Sequence, residues 1–308
     1  MYKIHEQTPL IVYAGMQVAW DRITEIHKDF TENGNVQNFQ ILGISGQGKS
    51  TMARTYAEQY PPSWDGSTRR RRVVYFSVPP APTPVSMFAA LCKAFGGPTV
   101  GTAMELLDRA IGYSNGTGCE LLLSDEVHHY LDRGQQRSHA QLGDYWKTFH
   151  DHYKGVTGLI GAPRIRDLLA VNKQWKNRAG EDLVLRPFSY DCFEHDLGGF
   201  IASVVAGTAL EAHLAFLADA DILTRIQYAT DGVPKHVIDF VVRVGRKFSK
   251  GAQLDIGLLD REWNFMPGMS LVAEKRRPFH KDFVFERLDQ LGEPFSSLGV
   301  DGDNHAFY

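Results

Sequence analysis

The sequence predicts an α/β protein, with a parallel sheet covered by helices on both faces, a nucleotide-phosphate loop, and a smaller all-helical part behind it. Three observations carry this expectation. Apolar, β-type runs alternate with helical patterns between Asn38 and Leu185. The first of those runs feeds Gly43-Ile44-Ser45-Gly46-Gln47-Gly48-Lys49-Ser50-Thr51, which has the G-x-x-x-x-G-K-[ST] spacing. After Pro187 the strand signals stop and only helical periodicity continues.

Taken in order, Ala14 to Phe30 sets Val18, Ala19, Ile23, Ile26 and Phe30 near helical spacing, so a helix precedes the first strand. Strand signals follow at Asn38 to Leu42, Val73 to Val78, Cys119 to Leu123, Val156 to Ile160 and Leu183 to Leu185. Ligands of such sheets sit beyond the carboxyl ends of the strands. At the end of the first strand, glycines let backbone N–H groups approach phosphate oxygens, and a helix N-terminus adds its positive dipole end. Gly43, Ser45, Gly46, Gln47, Gly48, Lys49, Ser50 and Thr51 are therefore the expected ATP-binding residues. Lys49 reaches the β- and γ-phosphates in this reading, and the Ser50 hydroxyl holds Mg²⁺.

The third strand ends in Asp125-Glu126. Asp125 suits a Mg²⁺-holding carboxylate, and Glu126 suits a base that orients and deprotonates the water attacking the γ-phosphate. Taken alone, an acidic pair at a strand end is also what a helix cap looks like. Ser124 is a polar residue where a wholly apolar strand is expected. His128-His129 follow directly, and without nearby cysteines they read as loop or packing residues rather than zinc ligands.

Helical patterns then cover Phe193 to Ala206, roughly Leu210 to Ala229, and Lys235 to Phe248. From about Leu254 the chain turns irregular and reads as an extended tail with short helices, either ordered by a partner or packed on its own body. The expected division is residues 1–35 as a helical segment, 36–190 as the nucleotide-binding core, 191–252 as a helical lid and 253–308 as a partner-binding tail.

Composition narrows the class. With 308 residues and 43% hydrophobic content the chain can bury a large core and a smaller satellite. A net charge of −3 gives no general attraction to nucleic acid, so DNA contact must come from a local patch or from aligned subunits. Cys92, Cys119 and Cys192 are odd in number and widely spaced, which argues for a reducing cytoplasm. The longest apolar stretch, "FIASVVAGTAL", is too short to span a bilayer, and no membrane partner is expected.

Together the phosphate loop, the acidic strand end, the strand ending "GLIGAP" and the helical lid resemble the AAA+ ATPases. More specifically, the run to about Lys250 resembles the TniB/TnsC family of transposition-regulating ATPases. The marks are "SVPPAPTP", "VGTAMELLDRA", "LLLSDEVHHYL", "GLIGAPRIRDLL" and "YATDGVPKHVIDFV". The resemblance implies an ATP-dependent homo-oligomer on double-stranded DNA, as a hexamer or heptamer ring or a helical filament, in the bacterial cytoplasm and on the nucleoid when active. It implies a link between a target-selection protein of the TniQ/TnsD kind and a transposase. It also implies that Arg178, or less readily Lys176, completes a neighbouring subunit's site as an arginine finger, and that Lys235 stands where the family has a lid arginine. Lysine there cannot make a bidentate phosphate contact. Ala162 occupies a position where the family commonly has a polar residue, which implies slow hydrolysis. Thr102 and Lys93 are the implied DNA-backbone contacts, while Val85 replaces a lysine the family often has. Arg69 to Arg72 read either as a phosphate clamp or as a solvated flank. A helicase loader or replication initiator shares the core motifs. A nucleotide-switched scaffold without a DNA role is a third reading.

Overall fold

A computed structural model describes residues 10–132, 136–166, 178, 180–191 and 193–296, with side chains for all of these but 131–141. The chain forms two compact units: Val18–Gly43 with Lys49–Leu185, and Met1–Gln17 with Ile44–Gly48 and Arg186–Tyr308.

The first unit is built on helices α1 (Ala14–Asn33), α2 (Lys49–Glu58), α3 (Pro84–Phe95), α4 (Ala103–Gly116) and α5 (Gln136–His152). Its strands are β1 (Phe39–Leu42), β2 (Ser63–Asp65), β3 (Thr68–Arg70), β4 (Val73–Ser77), β5 (Leu121–Asp125), β6 (Val156–Gly161) and β7 (Glu181–Val184). Five of them form one sheet in the order β4-β5-β6-β1-β7, every neighbouring pair parallel. β1, β5 and β6 are buried at every residue, as the continuous apolar runs require of strands covered on both faces. Edge strand β7 is only half-buried. Register pairs Leu42 with Gly161 and Ser77 with Asp125, so the β1 exit and the acidic pair lie at the same edge of the sheet. Against it packs an aromatic cluster in which Trp146 stacks on Phe149 at 5.2 Å and 9°, with Phe88 and Phe76 beside them. Full burial of each such ring is worth about 1.5–3 kcal/mol.

Two features of this unit depart from the sequence expectation. β5 runs through Ser124 and Asp125, because both residues keep their places in the ladder: Ser124 is paired with Phe76 and Leu159. The basic run is partly a hairpin, β2 against β3. Its charges are engaged locally: Arg70 pairs with Asp65 at 2.9 Å, Arg72 with Glu120 at 2.8 Å, and Arg71 donates to the Ala94 carbonyl.

The second unit holds α6 (Phe193–Val205), α7 (Leu214–Leu217), α8 (Ala220–Thr230), α9 (Pro234–Phe248) and α10 (Ile256–Asn264). The helix expected over 210–229 is broken, because Asp219 caps a new start by accepting from the Asp221 and Ile222 N–H groups. The segment after Leu254 packs on its own unit as far as residue 296. Asp255 caps α10, Trp263 is fully buried and donates through Nε1 to the Ala229 carbonyl at 2.8 Å, and Phe279, Phe283, Leu288 and Phe295 are buried. Arg287 clamps Asp231, the left-handed residue that closes α8, through two bonds of 2.7 Å. Among the described residues no helix is long and apolar enough to cross a membrane.

Candidate nucleotide site at the strand ends

Between Leu42 and Lys49 the chain turns from strand to helix in six residues. Gly46 and Gly48 hold φ values of +87° and +85°, a region where a side chain strains the backbone. Space is short as well: a Cβ on Gly46 would lie 2.8 Å from Val233 Cγ1, and one on Gly48 would displace the end of the Met16 side chain, 2.6 Å away at Cε. Within the same unit the loop is tied down at two points: the Lys235 N–H donates to the Gly46 carbonyl at 3.1 Å, and the Tyr13 hydroxyl donates to the Gln47 carbonyl at 3.1 Å. Gln47 is fully buried, whereas Ser45 faces solvent. Ser50 and Thr51 follow in the first turn of α2.

In the sheet unit, Lys49 opens α2 and its Nζ donates to the Gly43 carbonyl at 2.7 Å. Burial lowers its pKa to about 8, and the carboxylates of Asp125 and Glu126 pull it partly back up. Those three groups are therefore within electrostatic reach of one another. Asp125 is 1% exposed and held from two sides: Tyr75 of β4 donates its hydroxyl to Oδ2 at 2.6 Å, and the Glu126 N–H donates to Oδ1 at 2.8 Å. Burial, and then this bond, push the Tyr75 phenol up to about 12. Glu126 turns the chain out of β5 with φ of +57°, a left-handed conformation costing about 1 kcal/mol or more for a non-glycine residue. Its carboxylate lies 3.2 Å from His128 Nε2. Tyr75 and His128 were not singled out as site residues from sequence. The pattern of β4 could have exposed Tyr75, since it is a hydroxyl-bearing residue in the middle of an otherwise apolar run beside β5.

The side chains of the other expected site residues have local partners or face solvent. Arg178 pairs with Asp151 at 2.5 Å, its Nη1 is buried without a hydrogen-bond partner, and its carbonyl accepts from Asn38. Lys176 lies outside the described residues. The exposed Lys235 side chain pairs with Asp239 at 2.5 Å, one helical turn along α9. Lys93 is exposed in the last turn of α3, and Thr102 is the exposed N-cap of α4, bonded to Glu105 in a capping box. Val85 is 44% exposed in the first turn of α3.

No curated protein matches the sequence. Among solved structures, the chain is similar to the Aeropyrum pernix ORC2 protein in its ADPNP–ADP complexes, with a TM-score of 0.61 and 15% identity over 87% of this chain and 72% of that one. The Aeropyrum pernix ORC1 protein in complex with DNA gives 0.58 and 14% over 84% and 67%, and Cdc6p from Pyrobaculum aerophilum gives 0.55 and 14% over 84% and 69%. Likeness at such low identity speaks to the fold, which is that of the AAA+ P-loop ATPases. The family profile "TniB: Bacterial TniB protein" matches residues 2–188, more than half of the chain and all of the groups around Lys49. The chain belongs to the bacterial TniB family.

Proposed function

We propose that this protein binds ATP with Mg²⁺ at residues 43–51, hydrolyses it slowly, and uses the bound nucleotide to assemble on double-stranded DNA as a regulator of transposition. The observation that carries the reading is a Lys49 whose pKa burial lowers to about 8 within electrostatic reach of Asp125 and Glu126, directly after a turn whose positive φ values call for glycine, in a TniB-family chain. The donor set fits a metal-bound triphosphate. Backbone N–H groups of a glycine loop and an ammonium suit phosphate oxygens, and a hydroxyl with a carboxylate suits a hard cation.

In this reading Lys49 neutralises the β- and γ-phosphates, while Ser50 and Asp125 hold the Mg²⁺. The ion, when bound, supplies positive charge to the phosphate oxygens. Glu126 accepts a proton from the attacking water as that oxygen bonds to the γ-phosphorus and the bond to the ADP oxygen breaks, leaving ADP and inorganic phosphate. Lys235 adds a positive charge beside Gly46. Arg178, once released from Asp151, stabilises the γ-phosphate of a neighbouring copy, so bound ATP joins subunits into a ring or filament. Ala162 offers no side-chain donor at the end of β6, which favours slow turnover and a long-lived ATP state.

Thr102 and Lys93, exposed on adjoining helices, are the proposed contacts to the DNA backbone. Contacts of that kind are sequence-tolerant and weakened by salt. Residues 253–308 are the proposed partner segment toward a transposase and a target-selection protein. Within it Phe265, Leu271, Val284 and Leu291 are 66%, 80%, 61% and 103% exposed, apolar side chains that a partner could cover. The proposed setting is the bacterial cytoplasm, on the nucleoid when assembled.

Electron microscopy of the purified protein with duplex DNA, with and without a non-hydrolysable ATP analogue, tests the reading. Rings or filaments that require the analogue support it; their absence in every nucleotide condition contradicts it.

A further inference from the structure

We propose that His128 positions Glu126, holding one carboxylate oxygen so that the other is presented to water. The inference rests on the hydrolytic reading above and names a residue that reading does not use. The Ala162 N–H donates to His128 Nδ1 at 3.3 Å. A ring nitrogen that accepts from a backbone amide carries no proton, so the hydrogen of the neutral ring sits on Nε2. Nε2 lies 3.2 Å from Glu126 Oε2, and in the proposed bridge its N–H donates to that oxygen.

Sequence and packing both make room for this bridge. A Cβ on Gly161 would stand 2.8 Å from His128 Nδ1 and 2.9 Å from Ile165 Cδ1, so the glycine that ends β6 admits the ring. Glu126 needs the support, because its backbone is left-handed and its side chain is 38% exposed against 18% for His128. The next residue does not compete: His129 Nδ1 faces the Val78 carbonyl at 3.1 Å. Glu126, His128 and His129 do bring three ligand-type atoms within 4.8 Å of one another. The tautomer set by Ala162, however, leaves His128 no lone pair for a metal ion, which makes a carboxylate tether the better use of the cluster. The alanine at 162 contributes through its backbone what its methyl cannot: it fixes the ring that fixes the base.

His128→Ala and His128→Gln are compared for steady-state ATP turnover and for affinity toward a fluorescent ATP analogue. His128→Ala should lower kcat on the order of 10–100-fold, as a misplaced reacting group does, with analogue affinity within about twofold. His128→Gln, whose amide N–H can donate to Glu126, should recover most of the loss. In a Glu126→Gln background His128→Ala should change turnover no further. An unchanged kcat in His128→Ala, or an equal loss in both backgrounds, overturns the proposal. The imidazole ¹⁵N spectrum of the ligand-free protein gives an independent reading: a bare Nδ1 and a protonated Nε2 support the bridge, and a protonated Nδ1 overturns it. Wild-type protein that binds the analogue but never turns over ATP sinks the hydrolytic reading instead, and the inference with it.

Discussion

Asp231 and Lys49 are both charges drawn out of water, in different units of the molecule, and they are treated in opposite ways. Asp231 has no exposed surface; its oxygens receive two bonds from Arg287 and one from the Tyr190 hydroxyl, all at 2.7 Å. Lys49 is given a neutral carbonyl, and burial outweighs the pull of Asp125 and Glu126, leaving its pKa at about 8. A buried charge matched inside the fold holds the fold. One whose pKa is lowered by burial favours an incoming charge of opposite sign, because the ligand regains what burial took. Variants of the first group should therefore change stability, and variants around the second should change chemistry.

The widest separation is expected from Glu126→Gln. Its turnover should fall on the order of 10²- to 10⁴-fold, the range for losing a general base, with no loss of thermal stability. An unchanged rate would remove Glu126 from its assigned role. Next is Arg287→Ala, which strands Asp231 and should lower unfolding free energy by about 3–5 kcal/mol in urea denaturation. Replacing both partners, with Asp231→Asn added, should restore part of the loss; if it adds to the damage instead, the pair is not the source. Trp263→Phe keeps the ring contacts but leaves the Ala229 carbonyl without its donor, for about 1–3 kcal/mol in the same assay. Smallest is the effect of pH. Bound phosphate favours the charged ammonium, so analogue affinity should be flat below pH 8 and fall by at most about tenfold per unit above it.

How much was legible follows the same division. The phosphate loop, the acidic strand end and the parallel sheet were readable because each is local: glycine spacing, a continuous apolar run and a short carboxylate pair announce themselves within ten residues or so. Arg287 and Asp231 lie 56 residues apart, and nothing near either names the other. Trp263 and Phe295 looked like parts of an irregular tail because their partners are in α8 and α9, beyond any local pattern. The hairpin of Ser63–Asp65 with Thr68–Arg70 runs into a basic stretch in which Arg70, Arg72 and Arg71 are engaged by Asp65, Glu120 and a carbonyl. His128 was visible as a residue but not as a bridge. Only the register that brings Gly161 and Ala162 past the end of β5 gives it two partners.

The central claim is that Lys49 waits for phosphate charge. Titration calorimetry of a non-hydrolysable ATP analogue with Mg²⁺ at pH 9, repeated in buffers of different ionisation enthalpy, counts the protons taken up on binding. With a free-state pKa of about 8, close to one proton should be absorbed per site, and Lys49→Ala should bind on the order of 100-fold more weakly. Binding with no proton uptake, together with undiminished affinity in Lys49→Ala, would contradict the account.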